Sequence, residues 1–317
     1  MLVDDGRVQL RKRRDRRARL LRRRRRFGLL AALAVGVALV VALSAVLASS
    51  PPAHTRVRAT SSGGKLQRLV TPGLQRRAQL AAVKRLAAVR RLAAYGLPLF
   101  CGGRSRRMVA LTFDDGPGPY TRLAVQKLRE AHLHATFFLV GKEILAYPGV
   151  AQLERLVAAA GDHTMTHPFL PGLSHAAMVQ EIVGARRLIE RTTGQPVVLF
   201  RPPYEAMVPA IDHEVRSLGM VEVLWNVDSA DSLGANYAGI EHNVLAGLHP
   251  GSIILMHENH GQTIRALPTI FAALKHDRLR AVTVPQLIAQ DPPSPAQLRA
   301  GEAGCSVSHH PHNGNGN

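Results

Sequence analysis

From residue 108 onward, short apolar runs alternate with longer segments of helical character, and this alternation constrains the fold most strongly. The apolar runs, which predict strands, cover 109–113, 135–140, 197–200, 220–225, 252–256 and 281–284. The segments that predict helices are 121–131, 150–160, 175–192, 208–218, 238–247 and 263–276. Strands separated by helices pair in parallel. The sequence therefore predicts one α/β domain, and about 190 residues are enough for a hydrophobic core.

Two adjacent carboxylates follow the first predicted strand. The stretch TFDDGP at 112–117 places Asp114 and Asp115 between an apolar run and a Gly-Pro turn. Both acids are therefore expected at the end of a strand, where a loop can open onto a site. A lone Asp-Asp-Gly is usually only a turn, so the assignment of a function depends on other residues.

A pair of histidines supplies the next requirement. HTMTH at 163–167 sets His163 and His167 four residues apart. One carboxylate and two imidazoles suit zinc, and three protein ligands leave one coordination position open for water. The remaining aspartate can then act as a base toward that water. Alone, a pair of histidines at this spacing is more often an ordinary surface or core feature.

Three further motifs follow the same layout. RPPY occupies 201–204, WNVDSAD occupies 225–231 and ILMH occupies 254–257. Each of them ends or directly follows an apolar stretch. Polar, chemically capable residues at the carboxyl ends of strands are the expected arrangement of an α/β barrel. The joint occurrence of all five motifs favours a functional interpretation over separate turns and histidines.

With these motifs in this order, the chain resembles the polysaccharide deacetylases with a NodB-type homology domain, carbohydrate esterase family 4. The resemblance covers residues 101–290. It implies a distorted (β/α) barrel of about seven strands. It also implies a metal-dependent hydrolase that removes N-acetyl groups from an extracytoplasmic polysaccharide. The membrane anchor and basic stalk described below make peptidoglycan the first choice of substrate and chitin-type oligosaccharides the second.

The resemblance implies a metal site and a base beside it. Asp115, His163 and His167 look like the ligands of a divalent metal ion, with Zn²⁺ expected first and Co²⁺, Ni²⁺ or Mn²⁺ as alternatives. Asp114 looks like the catalytic base, and Arg201 looks like the residue that holds it in place.

The resemblance also implies the groups on the other side of the reaction. Tyr204 would supply a backbone N–H to the oxyanion. His257 is similar to the family's general acid, and Asp231 looks like the partner that orients and charges it. Leu255 would line the pocket for the acetyl methyl group.

The chain departs from the family pattern in three places. Glu205 stands where glycine is common, and Ser232 stands where tryptophan is common, which removes one apolar wall of the site. The family usually has a short strand before the first histidine, but here only Gly161 and Asp162 separate the helix predicted at 150–160 from His163, so this approach is predicted to be shortened. Two alternatives follow: a catalytically weak or inactive membrane-tethered domain that binds glycan, and an O-acetyl esterase of the xylan type.

The N-terminal sequence predicts a membrane anchor. Residues 1–26 contain 13 Lys/Arg, and residues 27–48 form 22 residues without a charge. Such a segment spans roughly 33 Å as a helix, enough for a bilayer core. The positive-inside rule then places the N-terminus in the cytoplasm and the domain outside. The alternative is a cleaved signal peptide and a secreted protein.

The formal net charge of +19 is distributed unevenly. Residues 51–107 carry 13 Lys/Arg and no acid, whereas 108–317 carry 15 Lys/Arg and 19 Asp/Glu. The positive charge therefore suits anionic lipid or wall polymer and not nucleic acid. We predict a basic linker or stalk at 49–100, in which a repeat at 80–95 is a helix, either a stalk or partly packed.

The ends of the domain carry the two cysteines of the chain. Cys101 and Cys305 flank the domain, and they can either form a disulfide outside the membrane or remain two free thiols. Residues 291–317 are rich in proline and then in histidine, and we predict a disordered tail there.

Overall fold

Strands and helices alternate along residues 72–306, the part of the chain that this computed structural model describes. The first half contains α1 (Pro72–Ala93), β1 (Met108–Gly116), α2 (Thr121–Glu130), β2 (Ala135–Leu139), α3 (Gly141–Ala146), α4 (Ala151–Glu154), β3 (Ala158–Asp162) and α5 (His175–Thr193). The second half contains β4 (Leu199–Phe200), α6 (Pro209–Ser217), β5 (Val221–Glu222), β6 (Val227–Asp228), α7 (Tyr237–Gly247), β7 (Ile253–His257), α8 (Gly261–His276), β8 (Arg280–Ala281), α9 (Val284–Gln290) and α10 (Pro295–Ala300).

Seven strands follow one another in the order β5-β4-β3-β2-β1-β7-β6, and every pair along this path is parallel. The short β8 pairs in parallel with the start of β1. The path has two ends, β5 and β6, so the sheet is a half-barrel. The prediction of a (β/α) barrel with about seven strands is confirmed in this form.

One face of the half-barrel packs against the surrounding helices. Val109, Leu111 and Phe113 of β1 belong to a core that also contains Leu128 of α2 and Ile182 of α5. Alternate residues of a strand point to opposite faces. The intervening side chains of β1 therefore point to the inner face of the half-barrel.

Two helices cover that inner face. Val89 and Leu92 of α1 and Leu287 of α9 share a second core with Met108 and Ala110 of β1. The carboxyl half of α1 is thus packed on the domain, so the predicted linker over 49–100 is wrong for this segment. The prediction of a helix at 80–95 is confirmed, and of the two alternatives given for it, the partly packed helix is the one observed.

Strand β3 corrects the predicted helix at 150–160. The helix there is only Ala151–Glu154, and Ala158–Asp162 pairs in parallel with β2 and β4. Alanine and glycine have low strand propensity, but small residues are required here because the ring of Phe138 packs against the strand. A Cβ on Gly161 would lie 2.5 Å from a ring carbon of Phe138. The strand therefore leads directly into His163, and the predicted shortening of this approach is wrong.

The C-terminal end of the domain is more ordered than predicted. The strand expected at 281–284 ends at Ala281, because Thr283 caps α9 in a capping box with Gln286. Helix α10 lies within the predicted disordered tail, which is wrong for residues up to 306. Cys101 and Cys305 form a disulfide with a Cα–Cα distance of 5.9 Å. This resolves the two alternatives for the cysteines.

The other predicted helices and strands each have a counterpart, and β4 and β5 are shorter than expected. Besides β3, α9 and α10, the structure adds α3 and β6 to the predicted elements. Within residues 72–306, none of the helices combines the length and apolar character needed to cross a membrane. The predicted anchor at 27–48 lies outside the described residues.

Candidate active site

The carboxyl ends of four parallel strands meet at one edge of the half-barrel and bring the motif residues together. Asp114 and Asp115 lie near the end of β1, and β7 ends at His257. β3 and β4 end one residue before His163 and Arg201, respectively. Because β1 lies between β2 and β7, and β3 lies between β2 and β4, these ends are neighbours. The predicted placement of the site at strand ends is confirmed.

Asp115, His163 and His167 form a cluster in which the possible ligand atoms all lie within 4.8 Å of one another. Oδ1 of Asp115 is 3.1 Å from Nε2 of His167 and 3.6 Å from Nε2 of His163. Asp115 and His167 have φ values of 68° and 61°. This left-handed conformation is unfavourable for residues other than glycine by about 1–3 kcal/mol. The backbone N–H of His167 donates to Oγ1 of Thr164 at 3.0 Å, which helps to hold the segment.

The protonation of this cluster fits a divalent metal ion. Nδ1 of His163 donates to the carbonyl oxygen of Arg201 at 2.6 Å, which leaves the Nε2 lone pair directed at the cluster. Burial lowers the pKa of His163 to about 4, so its ring is neutral at pH 7. Burial works to raise the pKa of Asp115, but the hydrogen bond from His167 and the charges of nearby histidines hold it well below its usual range. One ionised carboxylate and two imidazoles form a ligand set that suits zinc.

Asp114 is fixed by an arginine that is fully buried. Nη1 of Arg201 donates to Oδ1 of Asp114 at 2.7 Å and to Oγ1 of Thr112 at 2.9 Å. Nε and Nη2 of Arg201 donate to the carbonyl oxygens of Val223 at 2.9 Å and Leu224 at 3.1 Å. Bonds to four partners leave the guanidinium a single position, and that position determines the orientation of the carboxylate.

The two adjacent aspartates therefore have different surroundings. Oδ1 of Asp114 accepts from Arg201, and Oδ2 lies 3.8 Å from Nε2 of His163. Asp115 faces both imidazoles of the cluster and makes the shorter contacts with them. Asp114 can thus remain beside the cluster without belonging to it.

His257 is paired with a buried carboxylate. Oδ1 of Asp231 accepts from Nδ1 of His257 at 2.7 Å, and Oδ2 accepts from the hydroxyl of Thr263 at 2.6 Å. Burial works to lower the pKa of His257, but the hydrogen bond and charge of Asp231 outweigh it and raise the pKa to about 9. Burial works to raise the pKa of Asp231, but the bonds from His257 and Thr263 keep it low. The histidine is therefore protonated at pH 7.

The remaining predicted site residues lie at the same edge. Leu255 is buried in β7, two residues before His257 and on the same face of the strand. Tyr204 lies in the turn Pro203–Glu205 with a φ of 62°, and its hydroxyl donates to the carbonyl oxygen of His167 at 3.3 Å. All nine residues predicted from the sequence are thus brought to this edge.

Two exposed aromatic rings lie at the rim of the site. Tyr204 is 48% exposed and Phe169 is 57% exposed, with their ring centroids 6.4 Å apart. At Ser232, where the family commonly has tryptophan, the backbone N–H donates to Oδ1 of Asp231 at 2.7 Å. Glu205 has a φ of 55°. Glycine adopts this conformation without strain, which explains why glycine suits that position in the family pattern.

Sequence reasoning missed four residues that build the site. They are Thr112, Phe169, Glu258 and Thr263. Thr112 of β1 contacts Arg201, and Thr263 of α8 contacts Asp231. Contacts between elements so far apart in sequence cannot be predicted from the spacing of residues within a motif. Phe169 carried a weak signal, because it is a large aromatic residue two positions after His167.

Glu258 is a fully buried acid directly behind the site. The hydroxyl of Thr121 donates to its Oε2, and burial raises its pKa above the ordinary value. A Cβ on Gly116 would overlap Oε1 of Glu258 at 1.4 Å. Glycine is therefore the only residue that fits beside this carboxyl group at the turn after the two aspartates.

Comparison with known proteins agrees with this site. Residues 102–223 match the polysaccharide deacetylase family. A peptidoglycan-N-acetylglucosamine deacetylase of Bacillus cereus is 34% identical over 185 residues, which are 55% of this chain and 67% of that protein. A chitooligosaccharide deacetylase of Bradyrhizobium is 31% identical, over 60% of this chain and 98% of that protein.

Solved structures show the same fold. The Bc1960 peptidoglycan N-acetylglucosamine deacetylase matches with a TM-score of 0.58 and 30% identity, over 60% of this chain and 92% of that one. BA3943 from Bacillus anthracis, described as a pseudoenzyme of carbohydrate esterase family 4, matches with a TM-score of 0.57 and 27% identity, over 60% of this chain and 68% of that one. The chain belongs to the polysaccharide deacetylase family, carbohydrate esterase family 4, with a NodB-like domain.

Proposed function

We propose that this protein is a metal-dependent hydrolase that removes N-acetyl groups from an extracytoplasmic polysaccharide. The observation that carries the proposal is the convergence of three sets of residues at one sheet edge. They are the cluster of Asp115, His163 and His167, the pair of Asp114 and Arg201, and the pair of Asp231 and His257. Together they supply a metal site, a base and an acid for one reaction.

Asp115, His163 and His167 would hold the metal, and a divalent ion there supplies Lewis-acid polarisation of the acetyl carbonyl and of the attacking water. Asp114 takes a proton from that water as the water oxygen attacks the carbonyl carbon. Arg201 holds Asp114 in position through the 2.7 Å hydrogen bond. Zn²⁺ is the first expectation for this ligand set.

The acid side of the reaction completes the hydrolysis. The backbone N–H of Tyr204 would donate to the oxyanion that forms on the carbonyl oxygen. His257, protonated at pH 7, gives a proton to the nitrogen as the C–N bond breaks, and acetate and a free amine are released. An amine leaves poorly without that proton, so both an acid and a base are required. Leu255 would contact the acetyl methyl group.

The substrate class rests on the rim and on the relatives. The exposed rings of Tyr204 and Phe169 offer an apolar surface on which a sugar ring can lie. The relatives named above are deacetylases of peptidoglycan and of chitooligosaccharides. We propose peptidoglycan first, because the basic sequence before the domain suits a cell-surface location.

The location outside the cytoplasm is part of the proposal. The disulfide between Cys101 and Cys305 supports it, because disulfides persist in oxidising compartments. The 22 uncharged residues at 27–48, with 13 Lys/Arg before them, support a single-pass anchor with a cytoplasmic N-terminus. A secreted protein released by signal cleavage is the alternative.

Two other functions use the same residues. A catalytically weak or inactive membrane-tethered domain that binds glycan is the first, and the match to a pseudoenzyme of this fold supports it. The intact pairs of Asp114 with Arg201 and of Asp231 with His257 favour catalysis instead. An O-acetyl esterase of the xylan type is the second. The alcohol that leaves from an ester depends less strongly on a proton from a general acid than the amine that leaves from an amide.

One assay separates these functions. Full-length protein is incubated with N-acetylated peptidoglycan, with chitooligosaccharides and with O-acetylated xylan, each with and without chelator, and acetate is measured. We expect chelator-sensitive release of acetate from the N-acetylated glycans. Release from xylan alone would identify the esterase, and binding of glycan without any acetate release would identify the inactive domain.

A further inference from the structure

Helix α1 has an exposed basic surface that does not pack against the rest of the domain. Its buried side chains, Val89, Leu92 and Ala93, lie on one side of its carboxyl half. The described side chains between residues 75 and 84 are all exposed. The amino half of α1 therefore extends beyond the core that holds its carboxyl half.

The side of α1 opposite to the buried residues has a defined composition. Residues at spacings of three, four, seven and eleven share one side of a helix. On this basis the outer face of α1 consists of Arg76, Leu80, Val83, Lys84, Ala87 and Arg91. Arg77 and Arg90 flank it, and α1 contains no acidic residue. Leu80 is 53% exposed and Val83 is 60% exposed, near the middle of this face.

We propose that the outer face of α1 lies on the surface of an anionic phospholipid bilayer. Helices that bind in the plane of a membrane place apolar side chains at the level of the headgroups and basic side chains against anionic lipids. The outer face of α1 has both kinds of side chain, with cations on either side of Leu80 and Val83. Its two large apolar residues provide little burial, so the attraction is mainly electrostatic and sensitive to salt.

The apolar residues favour a bilayer over a soluble anionic polymer. A polyphosphate-like chain would pair with the cations but would leave Leu80 and Val83 in water. In the sequence, α1 also lies close to the proposed anchor, because only 23 residues separate 27–48 from Pro72. A helix tethered at that distance meets the bilayer at a high effective concentration. Binding of α1 to the bilayer would hold the catalytic domain close to the membrane.

Hydrogen–deuterium exchange of the full-length protein tests this proposal. The protein is reconstituted in vesicles of phosphatidylcholine alone and in vesicles that also contain phosphatidylglycerol, and exchange is followed in peptides from α1. We expect slower exchange of the amides of 75–85 only with phosphatidylglycerol. This slowing should be lost in 1 M salt, where the Debye length is about 3 Å.

Two triple variants separate α1 from other basic regions. R76Q/R77Q/K84Q removes three charges from α1 with a residue that favours helix, and it should lose the slowing. R122Q/R129Q/R155Q removes three exposed charges elsewhere on the domain, and it should retain the slowing. Deacetylation of a soluble chitooligosaccharide should be the same in both variants, which reports on folding.

Several results would overturn the proposal. Equal exchange of α1 in the two kinds of vesicle would do so, and so would slowing that survives in R76Q/R77Q/K84Q. Equal slowing by soluble poly(glycerol phosphate) without vesicles would assign the outer face to an anionic polymer instead. The comparison of the two vesicles in wild-type protein decides the matter even if the α1 variant fails to fold.

Discussion

Nδ1 of His257 lies 2.7 Å from Oδ1 of Asp231, and Oδ2 of the same carboxylate accepts the backbone N–H of His257 at 2.7 Å. The carboxylate of Asp231 therefore fixes the backbone of His257 and keeps a proton on Nδ1 of its ring. It also gives the imidazole the charged form that a general acid requires at pH 7. In the proposed reaction, this pair supplies the proton that the leaving amine requires.

The first prediction concerns pH. Because the pKa of His257 is raised to about 9, its proton is present at pH 7 and is lost as the pH rises through that value. We expect turnover to fall above about pH 9. In Asp231→Asn the raising charge is absent, so the fall should move toward or below the ordinary histidine value of about 6.5. A pH profile of acetate release measures both.

Asp277→Asn is the matched control for this profile. Asp277 also contacts a histidine, His276, at 2.8 Å, but that pair is on the surface. The control should have the wild-type profile. An unchanged alkaline limb in Asp231→Asn would show that His257 is not the acid that titrates.

The second prediction concerns the metal. His163→Ala and His167→Ala should each lower the content of divalent metal, because each removes one of three ligands. His175→Ala, a change at an exposed histidine outside the cluster, should keep the wild-type content. Elemental analysis of the purified proteins checks this, with about one ion per chain expected in the wild type. Equal metal content in the wild type and the three variants would show that this cluster does not bind the metal.

The third prediction concerns the disulfide. Cys101 and Cys305 join positions 204 residues apart, so the bridge restricts the unfolded chain strongly. Cys101→Ser/Cys305→Ser should lower the free energy of unfolding by about 2–5 kcal/mol. Denaturant unfolding measures the loss. Reductant should destabilise the wild type to the same level and leave the variant unchanged; a variant as stable as oxidised wild type would contradict the expectation.

The fourth prediction concerns topology. Residues 27–48 are uncharged and follow 13 Lys/Arg, so the domain should lie outside the cytoplasm. Protease applied to intact spheroplasts should remove the C-terminal domain from the membrane fraction. Protection of the domain would reverse the orientation, and a freely soluble protein that begins near Pro51 would favour a cleaved signal.

The site could be predicted from the sequence to a large extent because it is built from strand ends. Asp114, Asp115 and His257 directly end apolar runs, and parallel pairing brings such ends together whatever the details of the helices. The contacts of Thr112 and Thr263 could not be predicted in this way. Each depends on the distance between elements that are far apart in sequence.

The elements that sequence analysis misjudged share a physical cause. β3 has the composition of a helix, but the space over Gly161 is filled by Phe138, and pairing on both sides stabilises the strand. Sequence analysis assigned α1 to a linker and did not predict α9, but both helices pack on the apolar inner face of the half-barrel. Tertiary packing overrode the local preference of β3, and tertiary packing also determined that α1 is partly buried.

The central claim is that Asp114 is the base and Asp115 is a metal ligand, and one paired measurement tests it most directly. Acetate release and bound metal are measured in wild type, Asp114→Asn and Asp115→Asn. Asp114→Asn should keep its metal and lose about 10²- to 10⁴-fold in turnover. Asp115→Asn should lose metal and recover part of its activity with excess metal. Loss of metal in Asp114→Asn with retention in Asp115→Asn would reverse the two roles, and full turnover in Asp114→Asn would contradict the account.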